Sequence, residues 1–322
     1  MKTQAGEKKV KSRLFTIACV AVLMILMLFL FLSKPAFFQL ENIKRILIQA
    51  SSTGIMTFGL TLVLITGGID ISMPMMMLLS SVCGAIVMQK TGSVFLGILV
   101  IFLIALLCGS INGLAVARFR MMPFMVTLVM QGVAEGAATL ICYSATYTVP
   151  ERFIHIGNGV LFGFLPVPVL YLLVLGVFFH LLLNHTAYGR YIFGTGINAE
   201  AVSTCGINMG LIKFSCYAIA GLTTGIGALI TTARLGSASL MMVSDSTSLD
   251  IVCAAVIGGA SIYGGVGSIA GAFVGALIIT IIQNLINLFG LNTFTMYIIK
   301  GIIILLCTYY DLVKTKIWGK AQ

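Results

Sequence analysis

The chain has 322 residues, of which 59% are hydrophobic and only 9% charged, and its mean hydropathy is +1.11. A soluble domain carries about 25% charged residues and has no way to cover that much apolar surface; continuous rather than alternating apolar runs exclude a β-barrel. The net charge of +10 does not point to nucleic acid, because eight of the nineteen basic residues sit in the tails: Lys2, Lys8, Lys9, Lys11 and Arg13 at one end, Lys314, Lys316 and Lys320 at the other. The expectation is an all-α polytopic membrane protein.

In chain order, a basic tail covers residues 1–13, and an apolar run of nineteen residues follows at 14–32. No small-x-small cleavage site follows that run, so it reads as a first transmembrane helix rather than a cleaved signal. Further spans are expected at 46–66, 74–89, 94–117, 124–143, 165–184, 209–232, 249–262, 268–289 and 295–313, with a second basic tail at 314–322. Ten spans put both termini on one side, and the basic tails put that side in the cytoplasm. Arg118, Arg120 and Arg190 then fall inside, while Lys34, Lys44 and Arg45 fall outside, against the trend. Between the first two spans, Phe37, Phe38, Leu40 and Ile43 suit a short helix lying in the interface. The outer segment 143–168 is rich in Tyr, Pro and Gly and reads either as a docking loop or as a plain connector.

Two features interrupt the spans. The stretch LITGGIDISMPMM, 64–76, places Asp70 between two glycines and a proline. A carboxylate within a membrane costs about 2.5–3.5 kcal/mol, so Asp70 needs a partner, a wet cavity or a helix break. Asp70 or Ser72 is also placed to cap the third helix. The pair GGIDIS at 67–72 and GGASIY at 258–263 repeats at an offset of 191, as does Gly84-Ala85 with Gly275-Ala276. Paired glycine-interrupted segments mark the pathway in many transporters; chance likeness of two glycine turns is the other reading. Near the eighth span lie Asp245 and Asp250, with Ser248 or Asp250 as candidate caps. Glu135 falls inside the fifth span and is expected to face protein or a cavity, paired with a cation or a hydroxyl.

Chemistry-bearing motifs are missing. No HExxH, P-loop or GxSxG occurs, the eight cysteines form no CxxC, and the three histidines are dispersed. The chain is expected to be no enzyme, with neither a metal nor a cofactor of its own. The polar segment 185–208 is expected in the cytoplasm. Within it NAEAVSTCG reads as a short helix, capped by Asn198 toward Ala201, with Glu200 at the positive end and Gly206 closing it. A short helix held between two spans has the form of a coupling helix that docks on a motor.

Four ordered blocks between about residues 40 and 310 resemble the permease family of ATP-binding-cassette importers for monosaccharides, the ribose/xylose/galactose type. They are FGLTLVLITGGIDIS, GSINGLAVARFRMMPFMVTLVM, GRYIFGTGINAEAVSTCGIN and SLDIVCAAVIGGASIYGGVGSIAGAFVGALI. The resemblance implies a helical permease in the bacterial cytoplasmic (inner) membrane. Its partners are then a cytoplasmic ATPase that binds ATP and Mg, an extracytoplasmic sugar-binding protein, and a second permease chain. It implies coupling through Gly189, Arg190, Asn198, Glu200, Ala201 and Gly206, and a pathway at Gly67, Gly68, Asp70, Ser72, Asn112, Asp250, Gly258 and Gly259. The chain departs from the family pattern at Pro74, Ile197, Ser248 and Glu135, the last standing where members often carry Arg. The resemblance implies a homodimer, and the reversed charge sets against it the alternative of a heterodimer with a non-identical permease. The rival readings are an importer of the same superfamily for nucleosides or branched-chain amino acids, and an ion-gradient-driven transporter.

Overall fold

The computed structural model describes residues 35–302 apart from 162, 245, 293 and 296, together with 305 and 309. The expected span 14–32 and much of 295–313 lie outside the described residues. Among these residues, eight segments are long and apolar enough to cross a membrane, and each overlaps one of the other eight expected spans.

A 3-10 turn at Pro35–Phe38 leads into α1, Leu40–Ile65. The expected interfacial helix is therefore absent: Phe37 is buried, and the stretch after it is the first part of a long span. Residues 54–65 of α1 are all buried, as expected of a helix that is apolar on every side and stands at the centre of a bundle. After a break come α2, Met73–Thr91, and α3, Val94–Ala117. Gly92, at φ 67, ends α2, and Ser93 caps α3 by accepting from the Leu96 N–H. Helix α4, Pro123–Cys142, opens with proline in its first turn, where the missing N–H costs nothing.

The segment after α4 is ordered on one end of the bundle. It contains β1 (Tyr147–Thr148), α5 (Glu151–Asn158), and the hairpin of β2 (Val160–Leu161) with β3 (Leu165–Pro166). Helix α6, Val167–His185, then crosses back to α7, Ala187–Ile197, and α8, Ala199–Thr204. The long α9, Met209–Leu235, ends at β4 (Ser237–Ala238), which pairs antiparallel with β1. Asn158 of α5 donates to the Ala233 and Arg234 carbonyls, closing the end of α9. The short α10, Thr247–Ile257, and α11, Ile269–Leu288, complete the described spans. Helix α10 stops five residues before the expected end of its span, because Gly258 and Gly259 terminate it.

Close crossings depend on small residues, as is usual between helices in lipid. A Cβ at Gly221 of α9 would press on the Ala105 carbonyl of α3, and one at Gly109 would press on the Tyr217 carbonyl. Gly84 of α2 meets Gly97 of α3 in the same way, and Gly275 of α11 meets Ala254 of α10. Helices α1, α2 and α9 form the buried centre, while α3, α4 and α6 form the periphery with apolar faces turned outward.

Candidate functional site

The site is built on two helix breaks. Helix α1 ends with Thr66 as cap and Gly67 in the left-handed region at φ 76. The Gly68 N–H bonds to the Val63 carbonyl at 3.1 Å and the Gly67 N–H to Leu64 at 2.9 Å. This pair of bonds is a Schellman ending, which needs a residue tolerant of positive φ at its second position. Helix α10 ends identically: Gly259 has φ 86, the Ala260 N–H bonds to Ala255 at 3.0 Å, and the Gly259 N–H bonds to Val256 at 2.9 Å. The structural echo thus equates Gly67 with Gly259, one residue out of register with the sequence echo, which equated Gly67 with Gly258.

After the first break, residues 69–72 belong to neither helix nor strand, and their backbone polar groups need partners other than water. Three helices supply partners for their carbonyls. Tyr217 of α9 and Thr127 of α4 donate hydroxyls to the Ile69 carbonyl, at 3.3 and 3.4 Å. Ser248 of α10 donates to the Ile71 carbonyl at 3.0 Å. Asp70, only 2% exposed, accepts from the Ser72 N–H at 2.9 Å and the Ser72 hydroxyl at 2.5 Å. Its other oxygen accepts from Asn112 Nδ2 of α3 at 3.5 Å, and the same nitrogen donates to Ser72 Oγ at 2.9 Å. Both carboxylate oxygens are thus engaged within this chain, and the carboxylate braces the break. Ser72 does not cap α2, since its hydroxyl donates to Asp70 instead of accepting from the helix.

The second loop folds against the first. The Gly265 N–H bonds to the Ile65 carbonyl, the last of α1, at 2.8 Å. The end of α7 fits between them. A Cβ at Gly196 would overlap the Ile65 carbonyl oxygen, one at Gly265 would press on Ile197, and one at Gly264 would stand 3.0 Å from the Gly67 nitrogen. Ile65, Gly67, Gly196, Ile197, Gly264 and Gly265 therefore form a node of touching backbones.

The segment 185–208 holds two helices where the sequence suggested one. Thr186 caps α7 by accepting from the Gly189 N–H at 3.2 Å. Gly189 lies so close to the Leu183 carbonyl that a Cβ would overlap it, which lets α7 fold back on α6. Tyr188 ties α7 to α9 through Ser215 at 2.6 Å. Asn198 caps α8 as expected, accepting from the Ala201 N–H at 3.0 Å, and Gly206 takes φ 78 after the helix. No residue of α8 is buried; Arg190, Glu200, Ala201 and Gly206 are exposed.

Comparison with known proteins places this architecture. Residues 42–308 match the family described as branched-chain amino acid transport system / permease component. A ribose import permease of Haemophilus influenzae is 31% identical over 313 residues, covering 96% of this chain and 95% of that protein. A ribose import permease of Bacillus subtilis is 33% identical over 292 residues, 90% of each chain. The galactose/methyl galactoside import permease of Escherichia coli is 30% identical over 316 residues, covering 91% of this chain and 93% of that protein. No solved structure matches. The chain belongs to this permease family.

The permease is an all-α, multi-pass membrane protein and a transport component of the ATP-binding-cassette type. Two of its charged residues stand otherwise than the sequence suggested. Asp250 does not cap α10; it lies in the first turn and forms a buried ion pair with Lys300, on the helical stretch 297–302. Lys300 also donates to Ser246 at 2.9 Å. Ser248 is not the cap either, since its hydroxyl is spent on Ile71. Glu135 is exposed on α4, and it makes no ion pair among the described residues. Sequence reasoning passed over Gly196, Gly264, Gly265, Tyr217 and Lys300. The glycines stood in the quoted blocks, but nothing in a linear pattern distinguishes a glycine at a backbone crossing from one in a loose loop.

Proposed function

We propose that this permease moves a monosaccharide of the ribose, galactose, arabinose or xylose class across the bacterial cytoplasmic membrane. An extracytoplasmic binding protein delivers the sugar. A cytoplasmic ATPase, which alone holds ATP and Mg²⁺, drives the cycle. Both basic tails lie in the cytoplasm with α8. The substrates of the relatives, ribose and galactose or methyl galactoside, support the sugar class.

The observation that carries the reading is the backbone node. The exposed α8 is joined through Asn198 to the end of α7, and that end is wedged against both break loops. A motor that moves α8 must displace Gly196 and Ile197, and so the breaks at Gly67-Gly68 and Gly258-Gly259. Helices α2 and α10 start or end at those breaks, so their tilt changes and access alternates. Gly189, Arg190, Asn198, Glu200, Ala201 and Gly206 serve coupling in this scheme. Gly67, Gly68, Asp70, Ser72, Asn112, Asp250, Gly258 and Gly259 build the pathway wall.

A second permease chain completes the pathway. Glu135 faces outward from α4 beside Gly132 and Gly136, where a Cβ would meet nothing. In lipid that carboxylate costs about 2.5–3.5 kcal/mol, and a cation on a second, non-identical permease removes the cost.

Reconstitution in liposomes with the cognate ATPase and binding protein tests the assignment. ATP-dependent uptake of a labelled monosaccharide is expected. Uptake of a nucleoside or branched-chain amino acid instead, or uptake driven by an ion gradient without the ATPase, overturns it.

A further inference from the structure

We infer that the ATPase contacts this permease at two places, at α8 and at a second patch formed by Ile197, Tyr263 and Val266. The inference rests on the proposed coupling to a cytoplasmic ATPase and adds to it where that motor touches the chain.

The patch is built on a closed turn between α10 and α11. The Ser261 N–H bonds to the Val266 carbonyl at 2.9 Å, and the Gly264 N–H to the Ser261 carbonyl at 3.2 Å. Gly264 and Gly265 take φ 90 and 74, a conformation that a side chain would resist. Ser261 Oγ accepts from the Tyr263 N–H at 3.2 Å. Tyr263 therefore sits at the tip of a braced turn, with its side chain 58% exposed, and Val266, which closes the turn, is 49% exposed. Ile197 is 73% exposed. It lies against the turn, since a Cβ at Gly265 would stand 2.9 Å from its Cγ1. One small area thus displays three large apolar side chains.

Three observations say what covers them. The first is position. The Gly265 N–H bonds to the last carbonyl of α1 at 2.8 Å, and α1 belongs to the buried centre of the bundle. The patch lies over the end of that centre, whereas lipid meets the peripheral helices α3, α4 and α6. Apolar side chains so placed face water unless a protein covers them.

The second is continuity. Ile197 ends α7, Asn198 caps α8, and α8 begins at Ala199. A protein docked on α8 meets Ile197 and the turn beside it.

The third is size. A six-residue helix is about 9 Å long, while a stable protein interface engages about 20–30 residues a side. The exposed residues of α8 are small or polar: Glu200, Ala201, Ser203 and Thr204. A rigidly held tyrosine is the kind of side chain that carries binding energy at an interface, and here it stands beside α8 rather than on it. The second contact also gives the motor a shorter route to the first break, from the turn through the Gly265–Ile65 bond, without passing through α7.

Site-specific photocrosslinking in native membranes tests the double contact. A benzophenone side chain is placed at Tyr263 or, on α8, at Ser203. Capture of the ATPase is expected from both positions. Capture from only one of them overturns the double contact, and capture from Ser203 alone leaves the proposed coupling through α8 standing. Capture from neither overturns both readings. Phospholipid, or the permease's own chain, captured at Tyr263 in place of the ATPase also overturns the inference. Independently, Tyr263→Ala in nanodiscs is expected to weaken binding of the ATPase about tenfold, as loss of a central interface side chain does. Tyr263→Phe, which keeps the ring, is expected to bind as the parent does. The melting temperature of the permease alone should not move in either variant, which separates a lost contact from a lost fold. Parental affinity in Tyr263→Ala overturns the second contact.

Discussion

Two carboxylates inside this permease are handled in different ways. Asp250 is buried and neutralised by a cation fifty residues away in sequence, Lys300. Removing one partner strands the other in a medium that does not solvate it. Lys300→Met is expected to cost about 3–5 kcal/mol, seen as a lower melting temperature of the detergent-purified protein. Combining it with Asp250→Asn should restore most of that loss; a double variant no better than the single one contradicts the pairing. Asp70 makes no ion pair among the described residues and is held by Ser72 and Asn112. Asp70→Asn keeps an oxygen for the Ser72 N–H and is expected to fold and to transport. Asp70→Ala leaves buried donors unmatched and is expected to cost about 1–3 kcal/mol. Transport that disappears equally in both variants, with folding intact, would mean that the carboxylate itself meets the solute.

At the scale of elements, the same ending closes α1 and α10, with Gly67 and Gly259 in equivalent places. Neither position is crowded: an added Cβ at Gly67 meets only the Tyr263 carbonyl at 3.9 Å, and one at Gly259 meets nothing. The penalty for alanine is therefore conformational, about 1–2 kcal/mol at each site. Thermal melts of Gly67→Ala and Gly259→Ala should shift by similar amounts; a shift at only one position would deny the equivalence. Gly196 differs, because a Cβ there collides with the Ile65 carbonyl. Gly196→Ala should separate α7 from the break, leaving the assembled complex able to hydrolyse ATP but not to take up sugar. Glu200 and Gly206 lie on the other side of the same lever, at α8, and their replacement should uncouple transport without preventing insertion. ATP-driven uptake at parental rates in all three variants would deny coupling through α7 and α8.

At the scale of the whole molecule, the exposed faces say what a lone chain lacks. Helices α3, α4 and α6 turn broad apolar surfaces outward, and most of that surface suits lipid. Glu135 does not. If a second, different permease supplies its cation, a tagged chain extracted from its native membrane should bring that permease along in equal amount. Glu135→Arg should reduce the yield of the pair. A preparation that contains this permease alone and transports with its ATPase refutes the mixed pair.

Much of this was legible in one dimension. Membrane residence, the positions of eight spans within a few residues, the two breaks, the Asn198 cap and the family blocks all rest on run length, glycine and proline placement and short-range order. Those properties are local, so a linear reading suffices. What required the tertiary structure was everything set by rotation about helix axes and by the choice of neighbours. Only three dimensions bring Lys300 to Asp250, three helices to the carbonyls of Ile69 and Ile71, and Gly196 between Ile65 and Gly265. The one-residue shift between the two glycine pairs has the same origin. Which glycine turns left-handed depends on where the helix before it stops, and that is decided by packing.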